Sequence, residues 1–380
     1  MTTRNAGGCV SRVVYIFRGG REDLLRETIA GDSPDDFLYG LRGFISAGFS
    51  HRIVEARAGR IWFAPFVRPF EFLFTKIYGL SMPLGIQLAQ LDDLREADVI
   101  VATTDSGAFP VMVLKALGIV RGKLIVISQG LYRVREQLIA TGIGRWFLRR
   151  LRWLCLKAEH YVVLGEGDAV ACRGVFAELG GETLEPSIAF FGIDTQFWSP
   201  EQERASKGVL SVGSDVLRDY ETLCRAVGDL PCRIVTRSKV NAQWRGPNTI
   251  VDGDVNYQEL RALYRAAEIV VIPVLNKPRD SGHSATLQAM ACGKPVILSD
   301  TTGLWDREKL RHGENIWLVP PEDPTALRMA IRALLDNPAL RERLGFAARE
   351  YVMDGHTSTD FGRELVAIAR DQGIEDGVVV

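Results

Sequence analysis

The sequence predicts two α/β domains, each a parallel sheet doubly wound with helices on both faces, and three observations carry that prediction. Short apolar, β-rich runs alternate with longer helical patterns along the whole chain, as repeated βαβ units require. At 380 residues the chain exceeds one ordinary core and suits two. A polar, Pro-containing stretch, Ser199 to Lys207, divides the strand runs into two sets.

In the first set the strands are Arg12 to Phe17, Arg52 to Glu55, Val99 to Thr103, Leu124 to Ser128 and Tyr161 to Leu164. In the second they are Val209 to Val212, Arg233 to Val235, Thr249 to Val251, Ile269 to Ile272, Val296 to Leu298 and Ile316 to Leu318. The expected organisation is a first Rossmann-like domain over 1–198, a linker over 199–207 and a second Rossmann-like domain over 208–357. A helix over 358–370 then returns to the first domain, and 371–380 is a frayed tail. Ligands of such sheets sit at the carboxyl ends of the strands, so chemistry is sought in the loops there. Arg18, Gly19, Gly20 and Arg21 follow the first strand, and glycines at that point let backbone N–H groups approach a ligand; a simple tight turn accounts for them equally well. Asp105 and Gln129 also end strands.

A net charge of −1 gives no reason to expect a nucleic-acid partner. The six cysteines (Cys9, Cys155, Cys172, Cys224, Cys232 and Cys292) lie far apart, with no Cys-x-x-Cys pair and no His at metal-ligand spacing. They read as reduced core residues, which makes the cytoplasm the expected compartment and leaves no metal site. The opening residues lack a signal-peptide pattern, and no apolar run is long enough to span a bilayer.

The segment Asp280 to Ser299 joins a polar loop, a helix start and a buried strand, a unit suited to holding an anion. The loop ends at Gly282, and His283, Ser284, Ala285 and Thr286 open a helix whose free N–H groups and positive dipole end face what the loop encloses. Ala289, Met290 and Ala291 let the helix lie close on a sheet, and Gly293 stops it.

These residues resemble the donor-site segment of family 4 glycosyltransferases, the group 1 transferases of GT-B fold. There two Glu residues flank the loop and helix start, followed by Ala-Met-Ala-x-Gly-x-Pro-Val. This chain keeps the frame with Asp280 in place of the first Glu and Gln288 in place of the second. Phe191 to Pro200 is similar to the family's interdomain signature. Gly208 to Gly213, with Arg218 to Leu223, resembles its first strand and phosphate loop, and Gly313 to Leu327, with Leu334 to Pro338, resembles its C-terminal end.

The resemblance implies a GT-B fold with a cleft between the domains and a retaining, metal-independent hexosyltransferase activity. It also implies a nucleoside-diphosphate sugar as donor, a glycan, lipid-linked or small-molecule acceptor, and no cofactor. Arg218 is expected on the phosphates, because a diphosphate leaving group gains negative charge as the glycosidic bond breaks and needs fixed cations and N–H donors. The family's second basic residue is replaced by Ser214; Arg279 or Lys277 either supplies that charge or is simply solvated. Asp280 is expected to take a sugar hydroxyl, with a catalytic role. Gln288 is expected on the ribose, without the charge-assisted component a carboxylate provides. The expected donor side comprises Gly19, Gly20, Gly213, Arg218, Gly253, Arg279, Gly282, His283, Ser284, Ala285, Thr286 and Gln288; Asp105 and Gln129 belong to the acceptor side. His283 either touches sugar or phosphate or is solvated.

Three look-alikes are set aside. Asp252, Gly253 and Asp254 fall in a turn of the second domain rather than at a metal, Gly165 and Gly167 lack the third glycine of a dinucleotide fingerprint, and Gly118 to Lys123 has the wrong spacing for a P-loop. Two further readings stay open: a degenerate GT-B protein that binds a nucleotide or partner without turnover, and a sugar-nucleotide epimerase. Residues 101–157 carry ten Lys or Arg against two acids. Within them, Arg145 to Lys157 forms an amphipathic helix with Trp146, Trp153, Arg149, Arg150 and Lys157 opposite its core stripe, which predicts either peripheral attachment to an anionic, cytoplasmic membrane face or an ordinary amphipathic helix whose tryptophans cover a loop.

Overall fold

The computed structural model describes residues 10–56, 61–131, 133–134, 136–137, 145–180, 184–201 and 206–373. Six parallel strands form the first sheet: β1 (Arg12–Ile16), β2 (Ser50–Val54), β3 (Val99–Ala102), β4 (Lys123–Ile127), β5 (His160–Val163) and β6 (Ser187–Ile188), in the order β2-β1-β3-β4-β5-β6. Six more form the second: β7 (Ser206–Val212), β8 (Cys232–Val235), β9 (Thr249–Asp252), β10 (Ala267–Ile272), β11 (Val296–Ser299) and β12 (Trp317–Val319), in the order β12-β11-β10-β7-β8-β9. Every expected strand is present within a few residues; β6, two residues between a helix and the interdomain segment, is too short to show a period. β7 begins at Ser206, inside the stretch expected as linker.

The strands are nearly continuous Val/Ile/Leu runs because helices cover both faces and leave no solvent side on which to alternate. The order reverses between β1 and β3 in one sheet and between β7 and β10 in the other, and those switch points are where crevices open. One apolar cluster runs from the inner face of the first sheet through Phe191, Ile193 and Trp198 to the inner face of the second. The helix Ser358–Asp371 buries Phe361, Leu365 and Val366 and packs on the helix Leu41–Ser46 of the first unit. The five described cysteines are free and buried. Cys9, the side chain of Trp146 and residues 374–380 lie outside the described residues.

Candidate active site

Two cavities meet between the domains. The first, about 400 Å³, is lined by the loops after β1, β3 and β4, with Arg18, Arg21, Asp105, Gln129 and Arg133 among its residues. The second, about 430 Å³, is lined by Gly213, Arg218, Asp280, His283 and Gln288 of the second domain and by Asp168 and Phe191 from the other side. Phe37, Tyr39, Gln129 and Arg279 line both, so the two are compartments of one cleft.

In the second cavity β7 is followed by Gly213, whose φ of +144° and missing Cβ let the Arg218 guanidinium lie against its backbone; a Cβ there would stand 2.2 Å from Arg218 Nε. Gly282 packs on the same guanidinium and starts the helix His283–Ala291 without a side-chain cap. Arg218 Nε and Nη1 are buried without a protein partner, and burial lowers the guanidinium's pKa from its ordinary value. A buried, unpaired guanidinium beside a helix N-terminus is an anion site, since both supply N–H donors and positive potential where water is excluded. Ser284 and Ala285 line the same cavity, while Thr286 is fully buried beneath them.

Arg279 is not simply solvated: its Nη2 reaches Asp215 Oδ1 at 3.0 Å and Oδ2 at 3.1 Å, and the side chain spans both cavities. Lys277 is exposed and lines neither. His283 is buried, not solvated. Its ring stacks on Trp305 at 4.2 Å and its Nδ1 lies 2.6 Å from Asp280 Oδ2, leaving His283 Nε2 and Asp280 Oδ1 buried and unpartnered.

Gln288 departs most from expectation. Its Nε2 donates to Asp36 Oδ2 at 2.8 Å and its Oε1 accepts from the Tyr264 hydroxyl at 3.4 Å, so the amide expected on a ribose is engaged inside the protein. Asp36 also accepts from Trp198 Nε1 at 2.8 Å and from the Asp194 N–H at 2.7 Å. Burial pushes its carboxyl up to about 7 against the pull of these donors. An amide at 288 therefore suits its neighbour: a Glu in the same rotamer would set two carboxylates face to face.

The glycines after β1 line neither cavity; Gly20, at φ +73°, caps the helix Arg21–Ala30, and it is Arg18 and Arg21 that face the cleft. Gly253 is likewise outside, since β9 is the edge strand and Asp252 binds Arg233 at 2.6 Å. Asp105 lines the first cavity, but its oxygens are used in bracing the loop after β4, accepting from the Ser128 hydroxyl at 2.8 Å and from the N–H groups of Gln129 at 3.0 Å and Gly130 at 2.6 Å. Gln129 Nε2 donates to the Thr103 carbonyl at 2.9 Å.

Sequence reasoning missed Asp36 and Asp168. Asp168 sits in the first turn of the helix Glu166–Glu178, and its Oδ1 accepts the Asp280 N–H at 3.3 Å. Burial, then the charge of Asp280, raises its pKa well above the ordinary value. Gly165 and Gly167 bring that helix against the other domain: a Cβ on the first would stand 2.4 Å from Trp305 Cβ, and on the second 2.6 Å from the Gly303 carbonyl oxygen. The signal for Asp168 was the glycine pair set aside as a failed fingerprint.

The fold is that of a two-domain GT-B protein, with this crevice at the carboxyl ends of the second domain's strands. Residues 209–337 match the family described as Glycosyl transferases group 1, so the second domain is similar to that family over most of its length. An uncharacterized glycosyltransferase of Methanocaldococcus jannaschii, MJ1607, is 30% identical over 168 residues, 44% of this chain and 37% of the relative. The phosphatidyl-myo-inositol mannosyltransferase of Mycobacterium leprae is 39% identical over 100 residues, 26% of each chain. The chain thus spans well under half the length of the curated relatives it matches. Among solved structures, the sucrose-phosphate synthase of Thermosynechococcus elongatus superposes with a TM-score of 0.66 at 16% identity, covering 96% of this chain and 99% of that one. Anabaena HepE in complex with UDP-glucose gives 0.64 at 13% identity, covering 95% and 99%. At these identities the likeness is one of fold.

Proposed function

We propose that the protein transfers a sugar from a nucleoside-diphosphate sugar to a glycan, lipid-linked or small-molecule acceptor, with retention at the anomeric carbon and without a metal ion. The observation that carries this reading is Arg218, whose buried Nε and Nη1 have no protein partner and lie at the N-terminus of the helix His283–Ala291. The diphosphate is placed there, and the sugar extends toward Asp280 Oδ1 and His283 Nε2, the two other unpartnered buried atoms of that cavity. The bond from the anomeric carbon to the phosphate oxygen breaks, the acceptor oxygen bonds to the same carbon, and the acceptor proton passes to the departing phosphate. Arg218 and the helix N-terminus stabilise the charge that grows on the phosphate as this happens. The acceptor enters through the first cavity, beside Arg18 and Arg21. The enzyme works in the cytoplasm, at an anionic membrane face.

The engaged amide of Gln288 favours a second reading, a nucleotide-binding protein without turnover. A panel of nucleotide sugars incubated with the protein separates the two. Slow release of free nucleoside diphosphate from one donor supports transfer; tight binding of a donor with no release, even with acceptors present, supports the second reading.

A further inference from the structure

The helix Ala64–Tyr78 is apolar on more of its circumference than its own domain covers. Phe74 and Tyr78 are buried in the first domain. Phe66 is 80% exposed, Phe72 70%, Leu73 53% and Phe70 49%, and Trp62, just before the helix, is 80% exposed. Phe66, Phe70 and Leu73, four and three apart, fall on one stripe. Contiguous exposed aromatic surface of this kind marks an interaction site.

The charges around the stripe indicate what it meets. Arg68 and Lys76 are exposed on the same helix, and its one acid, Glu71, is turned to its own domain, where Oε1 accepts the Gly85 N–H at 2.8 Å. The helix Arg145–Cys155 meets its C-terminal end, where the Tyr78 hydroxyl donates to the Phe147 carbonyl at 3.3 Å. It exposes Arg149, Arg150 and Trp153, with the Lys157 ammonium 5.0 Å from the Trp153 ring centre. No Asp or Glu occurs from 145 to 157. Among the described residues of these two helices the exposed charged side chains are all cations, and aromatic side chains among cations match a sheet of phosphates over acyl chains better than the mixed acids and bases of a partner protein.

We propose that the helices Ala64–Tyr78 and Arg145–Cys155 together form a docking surface for an anionic phospholipid bilayer, with the Phe66, Phe70 and Leu73 stripe entering the headgroup region and the cations lying over the phosphates. The helix expected from the sequence to attach the protein supplies mainly charge; the apolar part comes from the helix Ala64–Tyr78. Leu80, two residues beyond the first helix, lines the first cavity, so the docked face and that cavity share an edge. Such an edge suits an acceptor borne by the membrane, a consequence that rests on the transferase reading, whereas the docking itself does not.

The test is sedimentation of the full chain with vesicles of phosphatidylcholine alone and of phosphatidylcholine mixed with phosphatidylglycerol, at low salt. The protein sediments with the mixed vesicles and not with the neutral ones. The pair Phe66→Ser and Phe70→Ser weakens partitioning about tenfold or more, because two large apolar groups no longer leave water. The pair Arg149→Glu and Arg150→Glu does the same by another route, and both retain the parent's unfolding midpoint and nucleotide binding. Absence of binding to the mixed vesicles overturns the proposal. So does gel filtration showing a dimer that the serine pair dissolves, which would make the stripe an interface between two copies. Nucleotide binding measured on the same samples keeps failure here distinct from failure of the transferase reading.

Discussion

Replacing Gln288 with Glu restores the family's carboxylate, and the structure predicts that this destabilises the protein in a pH-dependent way. The new oxygen would stand about 2.8 Å from Asp36 Oδ2, where Nε2 now donates. Two full charges at that separation repel by about 6 kcal/mol at an effective dielectric constant of 20. The folded pair avoids this by keeping one proton, as carboxylates sharing a site do. The folded pKa is then raised above the unfolded value near 4.3, so the native state holds the extra proton and stability falls as pH rises. Because the parent's Asp36, pushed up to about 7, already takes up one proton on folding below that pH, the pH-dependent part of the difference opens only above it, at about 1.4 kcal/mol per pH unit, or about 1 kcal/mol between pH 7 and pH 8. Urea unfolding of parent and Gln288→Glu across that range measures it directly. Adding Asp36→Asn to Gln288→Glu recovers part of the loss at pH 8, incompletely because Trp198 Nε1 and the Asp194 N–H still need an acceptor there. Equal stability of parent and Gln288→Glu at pH 8, together with tighter nucleotide binding by the variant, would refute the reasoning and put position 288 back on the ribose.

Removing the unpaired guanidinium by Arg218→Met leaves the unfolding midpoint of the ligand-free protein unchanged or raised, while turnover falls by about 10² to 10³; a turnover within about threefold of the parent removes Arg218 from the phosphates. Gly213→Ala sets a Cβ 2.2 Å from Arg218 Nε at a φ of +144°, so it displaces the guanidinium and costs turnover comparably; kinetics matching the parent would show that the loop yields. The pKa of Asp168 is raised by burial and by Asp280, and as pH rises through it a negative charge appears in the cavity and weakens binding of an anionic donor. Asp168→Asn therefore binds nucleotide as the parent does at the acid end of the profile and lacks the parent's decline as pH rises; identical pH profiles for the two would count against that role.

The sheets were legible in the sequence because strands buried on both faces must be continuous apolar runs, and the ends of β7 and β10 were legible because loops at switch points carry their own glycines and cations. What the sequence hid lies in contacts between distant residues. Gln288 and Asp36 are 252 positions apart, and only the closed cleft shows why an amide stands where a family carboxylate was expected. The interdomain signature from Phe191 to Pro200 gains a physical role in the same way, since the Asp194 N–H and the Trp198 indole hold Asp36. Gly253 was misplaced because its loop lies at the edge of the sheet, two strands from the switch point. The exposed stripe of the helix Ala64–Tyr78 could not be told from core by periodicity, which records an apolar face and not what covers it.

Calorimetric titration of uridine, guanosine and adenosine diphosphates into the parent and Arg218→Ala tests the central claim most directly. The account predicts that at least one of them binds the parent with a single site per chain, and that the variant binds the same nucleotide at least about a hundredfold more weakly while keeping its fold. Equal affinity for parent and variant, or no binding of any of the three to the parent, would contradict it.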